Sequence, residues 1–269
     1  MGIIMTNEGA LTDAALYRLL AWSSPGYPTG AFSYSHGLEW AVEAGSVTDL
    51  PTLLAYVTAV LARGGGWVDA VLFTHAWRLA SPATGAAPIA TPGTSGPTDA
   101  AAPNIPSAVP RDDDARTAAL DELSQLAAAF RGSAETALES RQQGAAFLDV
   151  TRKAWPHAAL DAFAQRRANA PVAHCVVVAL ACAAHNIALV PALHCYLHAV
   201  AANLVSAGAR LIPLGQTQAQ IAIARLSPTI TEIVERALTT NLDDLGTAAP
   251  LVEICSLRHE TQYTRLFRS

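Results

Sequence analysis

Thr48-Asp49-Leu50-Pro51-Thr52-Leu53-Leu54-Ala55-Tyr56-Val57-Thr58-Ala59-Val60-Leu61 is the stretch from which the fold can be read. Leu50, Leu53, Leu54, Val57, Val60 and Leu61 recur at three- and four-residue intervals, which places them on one face of an α-helix. Thr48-Asp49 supplies a cap for free first-turn N–H groups, and Pro51 falls in the first turn, where its missing donor is harmless. Gly64-Gly65-Gly66 stops the element, and residues 67–79 resume the period with Val68, Val71, Leu72 and His75 on one side.

The same period runs outward in both directions. Upstream, Thr12 or Asp13 caps a helix with Leu16, Leu19 and Leu20, and a short helix over 35–43 closes at Gly45. Downstream, periodicity resumes at Thr117 with Leu120, Leu123, Ala127 and Phe130. Ser133 then caps a helix to about residue 150, with Glu135 in its first turn. Pro156 marks a break. Two apolar helices, 172–189 and 192–208, are separated by Pro191, and Pro213-Leu214-Gly215 turns into a helix over 216–226. Ser227-Pro228 reads as a cap followed by proline at the first position of a further helix to Thr239, and Pro250 opens the C-terminal segment. No run alternates apolar and polar residues long enough for a sheet. The expectation is all-α: a single irregular bundle of about ten helices spanning the chain. Residues 81–116 are rich in Pro, Gly, Ala, Thr and Ser without periodicity, and they read as a disordered insertion.

Composition removes several classes. Apolar residues make up 51% and charged residues 14% of 269, enough for a substantial core. A net charge of −5 argues against nucleic acid as the main partner, because phosphate binding requires a basic patch. Residues 172–205 are the most hydrophobic region, but His174, His185, Asn186, Pro191, His194 and His198 interrupt it. That favours core helices over a bilayer span. The first residues carry no positive charge before an apolar run, so no secretory signal is expected and the location expected is cytoplasmic. Cys175, Cys182, Cys195 and Cys255 form no CxxC, and reduced, buried thiols are expected.

Three constellations are candidates for chemistry. His194 and His198 are i, i+4, a usable metal-ligand spacing, and Cys182, His185, His174 and Cys175 lie upstream. No carboxylate accompanies them, so buried histidines bonded to carbonyls are the competing reading, and a metal-dependent hydrolase built on residues 174–198 is the enzyme alternative. Ser33-Tyr34-Ser35-His36 places serines beside a histidine with no Asp to orient it. Helix capping by Ser33 or Ser35 is the simpler account. The segment 250–269 ends in Tyr263, Leu266 and Phe267 mixed with Arg258, Arg265 and Arg268. That is the make-up of an interface anchor, and the competing reading is a tail folded onto its own core. The loop 24–39 carries Pro25, Pro28 and three glycines, a more specified backbone path than a plain connector needs. The chain shows no GxxxxGK[ST], GxSxG or HExxH.

Leu19-Leu20-Ala21 running into Ser24-Pro25, then Gly30-Ala31-Phe32-Ser33-Tyr34-Ser35-His36-Gly37-Leu38-Glu39, resembles the opening motif of the urease accessory protein F family. Glu135-Thr136, Ser140 and Gly144 are similar to its middle segment. Asn203-Leu204-Val205 with Arg210-Leu211-Ile212-Pro213-Leu214-Gly215-Gln216 is similar to its central motif, and Ser256-Leu257-Arg258-His259-Glu260 with residues 262–269 to its C-terminal signature. The chain departs from the family at Ala219-Gln220, where a second Gly-Gln pair is the pattern, and in the length of the 81–116 stretch.

The resemblance implies a non-catalytic helical maturation chaperone without a stably bound cofactor. Such a protein forms a homodimer, binds the D/H accessory protein and the nickel-carrying GTPase (the G component), and couples GTP hydrolysis to nickel delivery to apo-urease. It implies contacts to the D/H protein from His259, Glu260, Tyr263, Arg265, Leu266, Phe267 and Arg268. It implies a dimer or GTPase surface from Tyr27, Phe32, Ser33, Tyr34, Ser35, His36, Glu39, Arg210, Pro213, Gly215 and Gln216. His194 and His198 remain as candidates to touch nickel in transit. An unrelated helical adaptor is the other alternative.

Overall fold

In the computed structural model, which describes residues 11–82, 109–110 and 112–269, the centre is α4 (Gly65–Ala80), buried on nearly every side from Trp67 through Leu79. It packs chiefly on α8 (His174–Ala184), whose mean composition is so apolar that every residue from Cys175 to Ala183 is buried. Around this pair stand α3 (Leu50–Arg63), α5 (Asp113–Ala129), α6 (Ala134–Ala154), α9 (Leu189–Leu211) and α10 (Gln216–Ala237). The short α1 (Asp13–Trp22), α2 (Leu38–Glu43), α7 (Ala158–Arg166) and α11 (Pro250–His259) cover the flanks. The buried apolar side chains form one contiguous core, and the described residues contain no strand. Each fully buried leucine in it, such as Leu53, Leu61 or Leu193, contributes about 1.5–3 kcal/mol.

Local chemistry sets the helix starts. Asp49 and Thr52 form a reciprocal capping box at α3, and Ser133 and Thr136 form another at α6. Thr12, rather than Asp13, caps α1. That helix buries Ala15, Leu19 and Trp22 and leaves Leu16 and Leu20 outside, so the expected stripe is rotated. Two glycines permit close crossings. A Cβ on Gly144 would stand 2.1 Å from the carbonyl oxygen of Val172, and one on Gly208 would stand 2.6 Å from the Leu53 side chain.

Several boundaries differ from the sequence reading. Pro228 does not start a helix: α10 runs through it, because Pro228 and Ala224 face solvent while Ala222, Leu226, Ile230 and Ile233 hold the opposite face in the core. Pro191 does not separate the two apolar helices either. It is the third residue of α9, where no N–H is required, and the chain turns instead at Asn186, whose φ is +55°. Between Pro156 and Val172, α7 was not anticipated, and Pro250 opens a true helix, α11. The expected insertion falls largely on residues 83–108 and 111, outside the described residues. Its last four positions are the first turn of α5, capped by Asp112. Among the cysteines, Cys175 and Cys182 are buried and Cys195 and Cys255 only partly so.

Candidate functional site

The residues beyond α11 turn back and lie as a strap along the 31–39 segment. Glu39, only 5% exposed, is its receptor. One carboxylate oxygen accepts the Leu266 N–H at 2.7 Å, and the other accepts the Phe267 N–H at 3.0 Å. That second oxygen also meets His259 Nε2 at 3.0 Å, and His259 Nδ1 meets Glu135 at 2.7 Å, so one fully buried ring bridges α2 and α6. Glu135 in turn takes Arg265 Nη1 at 2.8 Å. Such charge-assisted bonds are stronger than neutral ones, and breaking a buried set strands a charge. Further along, the Arg268 N–H donates to the Ser33 carbonyl, and the Ser35 N–H and hydroxyl both donate to the Ser269 carbonyl. The Ser269 hydroxyl reaches Glu139 at 3.1 Å. Phe267 is buried beneath the Arg210 guanidinium, 4.5 Å from the ring centroid, and Arg210 also donates to the Phe32 carbonyl.

The strap thus has two sides. His259, Phe267 and Ser269 face the core, while Tyr263 is fully exposed and Leu266 three-quarters exposed. Beside them α11 leaves Leu251, Ile254 and Leu257 in solvent. The two sequence readings of the tail, anchor and fold-back, describe different side chains of one segment. Glu260 is spent on the first turn of α6, accepting the Ala134 N–H at 2.9 Å. Gly37, with φ +74°, lets the strap's root approach: a Cβ there would stand 2.4 Å from the Ser256 nitrogen.

Behind the strap lies a cavity of about 340 Å³. Glu139 joins the two, holding the strap's Ser269 with one oxygen and His36, which lines the cavity, with the other at 3.0 Å. Burial acts to lower the His36 pKa, but the Glu139 carboxylate outweighs it and the net direction is up. On the facing wall Arg131 pairs with Asp69 at 2.8 Å, and Tyr196 donates to the same carboxylate at 2.8 Å. Burial alone would raise Asp69; Arg131 and these donors hold it below its usual value. His174 completes the wall. Burial pushes its pKa down to about 4, so it is a neutral imidazole at pH 7.

The other candidates do not converge. His194 bonds the carbonyl of Val190 one turn back, His198 is exposed, His185 bonds the carbonyl of Trp155, and Cys182 is buried. Among the described residues no three His, Cys, Asp or Glu side chains are grouped to hold a metal ion. The expected helix capping falls in part to Ser35: Gly37 precedes α2, while the Ser35 hydroxyl oxygen accepts the first-turn Glu39 N–H at 3.5 Å and also serves the strap. Tyr34 is buried against Gln142, and Tyr27 bonds Thr151 at 2.7 Å. Phe32, Pro213, Gly215 and Gln216 are exposed. Ala219, at the departure from the Gly-Gln pattern, is buried in the core. Sequence reasoning missed Glu135 as a partner of His259 and Arg265. Its place after Ser133 signalled only a helix start.

These features define an all-α protein whose C-terminal segment is tied to buried carboxylates while Tyr263 and Leu266 stay exposed. Comparison makes the class specific: a model of the UreF family matches residues 47–227. Proteins named urease accessory protein UreF are similar over nearly all of the chain. The one from Granulibacter bethesdensis is 46% identical over 257 residues, covering 96% of this chain and 95% of its own. That from Rhodopseudomonas palustris (strain BisB18) is 45% identical over 260 residues, covering 97% and 94%. That from Bradyrhizobium diazoefficiens is 42% identical over 274 residues, covering 99% and 100%. The chain belongs to the UreF family of urease accessory proteins.

Proposed function

We propose that this urease accessory protein is a non-catalytic, cytoplasmic, dimeric scaffold. It bridges the D/H accessory protein and the nickel-carrying GTPase, and it couples GTP hydrolysis to nickel delivery into apo-urease. The observation that carries this reading is the strap: Tyr263 and Leu266 project into solvent from a segment whose main chain is fixed by buried carboxylates. Solvent-facing aromatic and aliphatic side chains on a preordered backbone are what a partner engages at low entropic cost. Leu251, Ile254 and Leu257 of α11 are exposed as well. Phe32, Arg210, Pro213, Gly215 and Gln216 are left for the second surface, to a second copy or to the GTPase. Nickel is cargo in this reading, and no resident ligand set is assigned.

The test is co-purification with the D/H accessory protein. Removing everything after Glu260 would also unseat Phe267 and empty Glu39, so the informative variant is Tyr263→Ala with Leu266→Ala. Both side chains are exposed, so thermal stability should stay within a degree or so of the parent while the complex is lost, at about 2 kcal/mol or more per anchor. A complex that survives this double change would remove the D/H contact from the strap.

A further inference from the structure

A second surface, away from the strap and cavity, lies along the C-terminal half of α6, where a groove of about 360 Å³ runs between that helix, α7 and the turn at Pro171. Its floor is small and apolar, with Ala145, Leu148 and Ala168, and Arg141, Arg152 and Arg167 line it. The carboxylates nearby are already engaged: Asp161 by Arg152 at 2.6 Å and Asp149 by Lys153 at 2.7 Å. Among the described residues no carboxylate pairs with Arg141 or Arg167. Arg167 is the telling one. It is 5% exposed, it donates only to the main-chain carbonyls of Asp121 and Pro171, and its Nε has no acceptor. The carboxylate in range of it, Asp121, is held by Arg166 at 2.8 Å, and an arriving carboxylate would complete the donor set of a guanidinium largely out of water. In a chain of net charge −5, Arg141 and Arg167 put two positive charges without a carboxylate partner beside an apolar floor, with Asp149 on the same lining.

We infer that this groove docks an extended acidic segment of a partner protein, with carboxylates set between Arg141 and Arg167. Length favours a peptide over a lone phosphate. From Arg141 to Arg152 the helix rises about 16 Å, and an extended chain of about five residues covers that distance. A single small anion spans one arginine at a time. The inference is independent of the strap and of its partner.

The probe is a fluorescein-labelled hexaglutamate peptide, with hexaglutamine as its uncharged counterpart, titrated by anisotropy against the full chain. Hexaglutamate should bind and hexaglutamine should not. Arg141→Gln, at an exposed position, should weaken binding by about fivefold. Ala145→Leu, which fills the floor without changing charge, should weaken it as well, and Arg225→Gln on α10 should leave it unchanged. Four results overturn the inference: no binding up to about 1 mM peptide, equal loss in the Arg225→Gln protein, insensitivity to Ala145→Leu, or full displacement by inorganic phosphate at matched ionic strength. The last would mark a simple anion site, and insensitivity to Ala145→Leu would mark diffuse attraction without docking.

Discussion

Glu39→Ala should release the strap and leave the rest of the molecule folded. Glu39 accepts two consecutive main-chain N–H groups, from Leu266 and Phe267, and meets His259. Hydrogen bonds to a charged group are worth about 1.5–3 kcal/mol each, so the two main-chain bonds together account for about 3–6 kcal/mol of strap docking. Loss of 2.7 kcal/mol is about a hundredfold in a local opening constant. A domain stable by about 5–15 kcal/mol survives such a change when it is confined to a subglobal unit. The assay is hydrogen exchange by NMR or mass spectrometry. Amides 266–268 should lose at least about a hundredfold in protection, with Glu39→Gln intermediate because one acceptor oxygen remains. Amides of α8, which share no residue with the strap, should keep their protection. Unchanged protection of the Leu266 and Phe267 amides in Glu39→Ala would refute the reasoning, since it would mean that Phe267 packing alone holds the strap.

Four other perturbations have defined outcomes. His174 titrates at about 4 in the fold against 6.5 in the open chain, so between those values only the unfolded state takes up the proton. Stability then falls by up to about 3 kcal/mol as pH drops through that window, and urea midpoints of His174→Gln should show a flatter acid limb. His36 has the opposite sign: its raised pKa gives a contribution that is whole below 6.5 and is lost as pH rises through the folded value, so His36→Gln should flatten the alkaline limb. Gly144→Ala should force α6 from α8 and lower stability by about 3 kcal/mol, the upper part of the usual overpacking range. Gly65→Ala, with open space around its Cβ, should be neutral or stabilising by about 0.4–1 kcal/mol in the same melting experiment.

What the sequence revealed follows how far each signal reaches along the chain. Asp49 and Ser133 act within a turn of themselves, and α3 and α6 start where they say; α3 stops at Gly64 as read, although Gly65 and Gly66 already belong to α4. α7 escaped because it has nine residues and starts at His157, an uncommon cap. Pro228 misled because a proline's effect depends on which face of the helix it occupies, which burial decides and local sequence does not. The strap was half legible. Its composition marked it as unusual, and nothing near residues 259–269 announces Glu39 or Glu135. The histidines of 174–198 have metal-like spacing on paper, and His194 and His198 do share α9, but among the described residues no third ligand joins them: His194 bonds the Val190 carbonyl, and His185 lies before the turn and bonds that of Trp155.

The bonds from Glu39 to Leu266 and Phe267 join residues separated by 227 and 228 positions. Closing so long a span is entropically slow, and such contacts form only after the segments between have found their places. The order of assembly is therefore written into the strap: the helices settle first and the outward display of Tyr263 and Leu266 comes last. Until Glu39 takes up those two amides, Tyr263 and Leu266 have no fixed backbone beneath them.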